Sequence, residues 1–326
     1  MLIGEGYRTF PVLIYTQFIS EVGGNSAFAI MAIIIALAIF LIQKHIANRY
    51  SFSMNLLHPI EPKKTTKGKM AAIYATVYGI IFISVLPQIY LIYTSFLKTS
   101  GMVFVKGYSP NSYKVAFNRM GSAIFNTIRI PLIALVLVVL FATFISYLAV
   151  RKRNLFTNLI DSLSMVPYIV PGTVLGIAFN TGLFGSGFLM ITGTAFILIM
   201  SLSVRRLPYT IRSSVASLQQ IAPSIEEAAE SLGSSRLNIF AKITTPMMLS
   251  GIISGVILSW VTMISKLSTS ILLYNVKTRT MTVAIYTEVL RGNYGVAAAL
   301  STILTVLTVG SLLLFMKISK SNSFTL

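Results

Sequence analysis

A chain of 326 residues that is 55% hydrophobic and 10% charged, with mean hydropathy +0.81, carries more apolar surface than a soluble core needs, which places it among polytopic membrane proteins. Its formal net charge of +18 does not indicate nucleic-acid binding, because the basic residues are scattered between apolar stretches and not gathered on one face. The absence of cysteine excludes disulfide frameworks, thiol catalysis and cysteine-ligated metal.

A helix needs roughly 20 apolar residues to cross a bilayer. The first residues, MLIGEGYRTFPVLIYTQF, lack a basic region followed directly by an apolar core, so no cleavable signal peptide is expected. Seven stretches then meet the length requirement, at about 24–43, 71–94, 123–150, 158–180, 183–203, 248–273 and 294–317. The predicted fold is therefore all-α. The first connection, Lys44 to Lys69, is basic and holds both histidines, His45 and His58, which read as surface residues with no Ser or Asp constellation to support hydrolysis. A polar loop runs from Phe96 to Met120 with Lys98, Lys106, Lys114 and Arg119, and a tight Arg151-Lys152-Arg153 turn follows the third stretch.

Inside or near the ends of spans stand two ionisable groups, Asp161 and Lys266. A charge in hydrocarbon costs at least ~2.5 to 3.5 kcal/mol, so each should face a cavity, a partner or the interface. Asp161 reads either as an interfacial charge near Arg151–Arg153 or as a pathway residue. Lys266, in the polar run Ser265-Lys266-Leu267-Ser268-Thr269-Ser270, either lines a path together with Ser268 or snorkels to the interface. Pro167 and Pro171 should break the fourth span, and freed carbonyls beside proline are tolerated only against protein or a water-filled cavity. Gly172 with Gly176, and Gly251 with Gly255, present small-xxx-small faces for tight packing or for lining that path. Trp260 reads as a packing or interfacial residue.

Between the fifth and sixth stretches lies a charged amphipathic insert, Glu226 to Pro246, with three of the chain's eight acids and with Arg236 and Lys242; Arg205, Arg206 and Arg212 precede it. Pro223 and Ser224 should open a helix, and Ser224 with Glu227 has the S-x-x-E spacing of a capping box. Ile225, Ala228, Ala229 and Leu232 fall at i, i+3, i+4, i+7 as one apolar stripe, and Gly233 sits where a left-handed cap turns the chain. A second short helix is expected with Leu237, Phe240 and Ile243 on one face and Pro246 closing it. No G-x4-G-K-[ST] phosphate loop occurs, so the chain lacks the usual means of binding and hydrolysing ATP.

The spacing Glu227-Ala228-Ala229, three residues, Gly233, nine residues, Ile243, two residues, Pro246 resembles the EAA loop of permease subunits of ABC importers; Thr245 stands where that pattern usually has Leu. The runs Val166–Gly176, Arg205–Arg212 and Ala297–Leu300 extend the resemblance toward the iron(III)-type permeases, in which one polypeptide holds two halves. It implies that residues 224–246, with Glu226, Glu227, Ala228, Ala229, Gly233, Ile243 and Pro246, form the coupling helix that inserts into a groove on a separate ATPase. That partner would bind ATP and magnesium, and this chain no cofactor or metal. It further implies a six-helix permease core, an extracytoplasmic substrate-binding protein, a second permease half or a homodimer, and the lipid of a bacterial inner membrane. Asp161, Pro167, Pro171, Lys266 and Ser268 are the candidates for the translocation path. Lys266 stands where the iron-type pattern has an acid, a reversal that suits an anionic or chelated substrate better than a bare cation.

If the EAA loop is cytoplasmic, then so are 44–69, the Arg-Lys-Arg turn and the tail with Lys317 and Lys320, which together with Arg205, Arg206, Arg212, Arg236 and Lys242 of the EAA region hold 16 of the 26 Lys and Arg. Residues 8–17 and 279–288 share Arg, Thr, Val, Ile, Tyr and Thr at six of ten positions, and the six spans between them put both copies on the same side, as a parallel repeat requires. The expected organisation is thus an external segment and last span of a partial first half at 1–43, a basic cytoplasmic linker at 44–70, and a six-span permease domain at 71–326. A second EAA loop is missing, so the rest of the first half is either a separate chain or lost.

Overall fold

The computed structural model describes residues 25–49, 65–152, 154–183 and 191–322, with isolated positions at 12, 13 and 16. The amino-terminal copy of the repeat, apart from Val12, Leu13 and Thr16, lies outside the described residues, as do His58 and Arg153. Helices α1 (Asn25–Arg49) and α2 (Lys67–Ser95) come first, then an antiparallel hairpin of β1 (Leu97–Ser100) and β2 (Val103–Tyr108). The hairpin turns at Gly101, whose φ of 59° suits a residue without Cβ, and it is the one sheet among the described residues.

Helix α3 (Asn111–Arg151) has 41 residues and a length of about 61 Å, twice the hydrocarbon thickness of about 30 Å. It begins a dozen residues before the expected span, inside what reads from sequence as polar loop. Helix α4 (Leu155–Ile169) and α5 (Gly172–Ile177), which runs on through a wider turn at Ala178–Leu183, form a helix pair bent by 105° at the break. Pro171 supplies no N–H, and Val170 before it is extended, so helix ends there. Pro167 is carried inside α4 without breaking it.

The fifth stretch is displaced most. Its helix, α6 (Ala195–Gln219), covers only the end of the expected 183–203 and continues through Arg205, Arg206 and Arg212. These arginines mimic a loop in sequence, yet the run has 25 residues and so reaches about 37 Å. Next come α7 (Ser224–Ser231), α8 (Arg236–Ile239) with its continuation to Met247, and α9 (Leu249–Ile264), which departs from α8 at 68°. The expected span at 248–273 stops at Ile264; Ser265–Thr269 forms a break before α10 (Ser270–Leu273). Helices α11 (Met281–Leu290) and α12 (Tyr294–Asn322) complete the chain. Among the described residues three helices, α2, α3 and α12, are long and apolar enough to cross a membrane, or up to five if each of the two bent pairs is one span.

The core forms where α3 and α6 run together, with Ile130, Ala134 and Val138 against Ile197, Leu198 and Leu202, closed by Leu175, Phe179, Met263 and Leu273. A second cluster joins Ala116, Met120 and Ala123 of α3 to Met281, Ala284, Ala299 and Leu300. Helix α9 meets α6 through its glycines: a Cβ on Gly255 would lie 2.5 Å from the Thr210 Cα, and one on Gly251 2.6 Å from the Ser213 carbonyl. These faces serve close helix approach. Trp260 packs inside, 5.9 Å from the Phe315 ring, and donates to Ser311 at 2.7 Å.

Candidate coupling segment and membrane-interior site

Helix α7 starts one residue earlier than the capping-box spacing predicts. Pro223 is already helical, the Glu226 and Glu227 amides bond its carbonyl at 3.0 and 3.2 Å, and no side chain caps the helix. Ser224 therefore sits in the first turn, too late to cap it. The helix ends as expected: Gly233 has φ of 85°, its N–H donates to the Glu230 carbonyl at 2.9 Å, and Ser234 N–H donates to the Ala229 carbonyl at 3.0 Å. The chain then re-enters helix at Ser235, whose hydroxyl caps Asn238.

The expected apolar stripe splits between two faces. Ala229 is buried, but Ala228 and Ile225 are exposed and Leu232 is 88% exposed. In the second helix Ile239 is buried and Phe240 packs 4.9 Å from the Tyr147 ring, whereas Leu237 is 80% exposed. A wider turn over Phe240–Thr244 rotates the register, which is why Leu237, Phe240 and Ile243 do not share one face. Pro246 falls in a first-turn position where its missing N–H costs nothing, so helix passes through it and bends at Met248. Thr245, in place of the family's Leu, buries a hydroxyl with no partner.

Glu226 anchors the segment. Its Oε1 accepts from Arg151 Nε at 2.9 Å and from Thr244 Oγ1 at 3.0 Å, and its Oε2 accepts from Tyr147 at 3.4 Å. Arg151 Nη2 also donates to the Ile221 carbonyl at 2.9 Å. The pair is only 11% and 14% exposed, so the end of α3 and both short helices are tied at one shielded point. Glu230 pairs with Arg236 at 3.1 Å across the turn, and Glu227 stays exposed. Sequence reasoning missed the clamp partners Tyr147 and Thr244; an aromatic four residues before the Arg151 turn was the available signal.

Of the candidate pathway residues, Lys266 and Ser268 lie in the break that faces Gly172, next to Pro171. Asp161 pairs with Arg212 of α6 at 3.1 Å, and Arg151 is taken up by Glu226. At the two helix breaks, Thr269 Oγ1 donates to the Gly172 carbonyl at 3.2 Å, and a Cβ on Gly172 would collide with Ser268 and lie 3.0 Å from Arg205 Nη1. Arg206 is buried beside them: Nη2 donates to the Thr262 carbonyl at 3.2 Å, and the guanidinium lies 5.4 Å from the Tyr209 ring. Among the described residues no group of three or more His, Asp or Glu side chains could hold a metal ion.

Comparison with known proteins agrees with this architecture. A bacterial ABC transporter involved in the import of the acidic polysaccharide alginate is 16% identical and superposes with TM-score 0.61 over 78% of this chain and 96% of its own, a likeness of fold. A ferric transport system permease protein of Actinobacillus pleuropneumoniae is 33% identical over 68% of this chain and 31% of its own length. A Fe(3+)-transport system permease protein of Haemophilus influenzae is 25% identical over 89% and 56%, and a putative 2-aminoethylphosphonate permease protein of Salmonella paratyphi A is 27% identical over 78% and 95%. The chain thus spans about a third to a half of the ferric relatives. Residues 144–320, more than half the chain and including all of 224–246, match the family described as binding-protein-dependent transport system inner membrane component, and the chain is a multi-pass membrane protein belonging to that family.

Proposed function

We propose that this chain is a membrane-spanning subunit of an ATP-binding-cassette importer in a bacterial inner membrane, and that α7 and α8 couple it to separate ATPase subunits. One observation carries this reading: Leu232 and Leu237 are exposed beside Glu227 on a short helical pair that is itself clamped by the shielded Arg151–Glu226 bond. A rigid tether under an apolar, acidic tip transmits displacement to α3 instead of absorbing it. ATP and magnesium belong to the partner, whose closure would rock the bundle between inward-open and outward-open states. A substrate-binding protein would deliver cargo to the opposite face, over 96–120 and 274–293. A second permease half, as a separate chain or a second copy, would complete the pathway around the domain at 71–326.

The ferric relatives favour iron(III) or an iron chelate as cargo, and the aminoethylphosphonate relative, together with a sulfate transport system permease protein of Salmonella typhimurium at 25% identity, favours an anion as the second reading. The coupling role is tested by gentle purification of Glu227→Lys and Leu232→Asp variants. Both should insert in the membrane normally and lose the ATPase and substrate uptake. Normal ATPase recovery with both variants would overturn it, and uptake that follows an ion gradient without ATP would identify a secondary transporter instead.

A further inference from the structure

Among the described residues, three cations inside the bundle have no carboxylate counter-charge. Arg205 and Arg206 lie on α6, about 20 Å from its Gln219 end, and Lys266 lies in the break between α9 and α10 within electrostatic reach of both. Arg206 is 7% exposed and its Nε is buried with no partner; Arg205 Nη1 is likewise buried and unpartnered, and so is the hydroxyl of Thr173 beside Gly172. The described carboxylates are committed elsewhere. Asp161, Glu226, Glu230 and Glu288 pair with Arg212, Arg151, Arg236 and Arg291, and Glu227 is exposed on the coupling segment. Three like charges in a medium of low dielectric repel one another, and a buried cation without a partner costs several kcal/mol. Guanidinium groups are also the side chains whose forked donors best match a planar or tetrahedral oxyanion.

We propose that Arg205, Arg206 and Lys266, gathered where the α4–α5 and α9–α10 breaks meet, form an oxyanion site on the translocation path, so that cargo crosses this chain bearing net negative charge, as an oxyanion or as a metal chelated by one. The proposal rests on the reading of the chain as an importer subunit and narrows its cargo: a bare ferric ion and a polyamine are excluded. The Thr269–Gly172 hydrogen bond ties the two breaks together, so the three cations are held by packed backbone and not by free loops.

The test is equilibrium binding of radiolabelled sulfate, phosphate and ferric citrate to the full chain, purified with its ATPase at low ionic strength. At least one probe should bind saturably. Lys266→Met should weaken it about tenfold, Lys266→Glu should abolish it, and Lys266→Arg should stay within about threefold of the parent. Failure of all three probes to bind the parent protein would overturn the proposal without reference to any variant, and would point to a carboxylate of the second permease half as the counter-charge. Equal affinity in the Met and Glu variants, or displacement by phosphatidylglycerol, would also overturn it. Co-purification of the ATPase separates the two ideas. Retained ATPase without anion binding removes only the oxyanion site, and anion binding without ATPase removes only the coupling role.

Discussion

Glu226 and Glu227 are adjacent acids with opposite duties. Glu226 turns inward, where Arg151, Thr244 and Tyr147 satisfy both its oxygens, and Glu227 turns outward with no neighbour to restrain it. Spacing alone assigns both to ATPase contact, because a motif read along the chain does not say which carboxylate faces the bundle. Removing one partner of a shielded ion pair leaves an uncompensated charge, so Arg151→Met should cost about 3 kcal/mol and Glu226→Gln less, since the amide keeps part of the hydrogen bonding. Thermal unfolding of the purified chain checks this: both variants should melt below the parent, whereas Glu227→Gln should melt with it. Equal melting of all three would remove Glu226 from its place as the anchor. Asp161 shares the pattern only in part, since Arg212 pairs with its Oδ2 while its Oδ1 is buried without a partner.

Among the elements, α6 was the least legible from sequence and α12 the most. Helix α12 carries apolar residues almost without interruption, so its start at Tyr294 follows from hydropathy alone. Helix α6 holds Arg205, Arg206 and Arg212, which read as a connection; only packing against α3 and α9 makes it a helix through that stretch, and single-chain hydropathy cannot see such partners. The breaks were half legible. Pro171 marks one, whereas the Ser265–Thr269 break has no proline and is stabilised by contacts with Gly172 and by Thr282, which donates to the Lys266 carbonyl at 3.0 Å. Two glycines illustrate how differently one residue type serves two elements. Gly255→Ala would force a Cβ to within 2.5 Å of the Thr210 Cα and should cost about 1 to 3 kcal/mol by pushing α9 from α6. Gly233→Ala meets no atom within 4 Å and should cost about 1 to 2 kcal/mol through its left-handed backbone alone. Crowding between α9 and α6 and strain in the coupling candidate are told apart by ATPase recovery, which should fall in Gly233→Ala and stay at the parent level in Gly255→Ala.

For the whole molecule, the fold places an exposed tip at one end of the bundle and a cationic break about 20 Å along α6 from the same end, with α3 and α6 running between them. A push on the clamp at Arg151 and Glu226 therefore reaches α3 directly, and α6 through the Leu218–Ile221 cluster with Met248 and Ile252. Membrane class and family could be read from the sequence because both depend on local composition and spacing. The cationic site could not, because Arg205 and Lys266 are far apart along the chain and meet only where two helices break. The absence of cysteine makes the central claim directly measurable, since single cysteines report without background from this chain. Leu232→Cys and Leu237→Cys, each treated with a short thiol-reactive photo-crosslinker in the assembled transporter, are predicted to join the ATPase, with yields that change on adding ATP, and Ile239→Cys, buried at 3% exposure, is predicted to yield no adduct. Absence of any ATPase adduct from both exposed positions, in a preparation where the ATPase is present and active, would contradict the assignment of α7 and α8 as its docking segment.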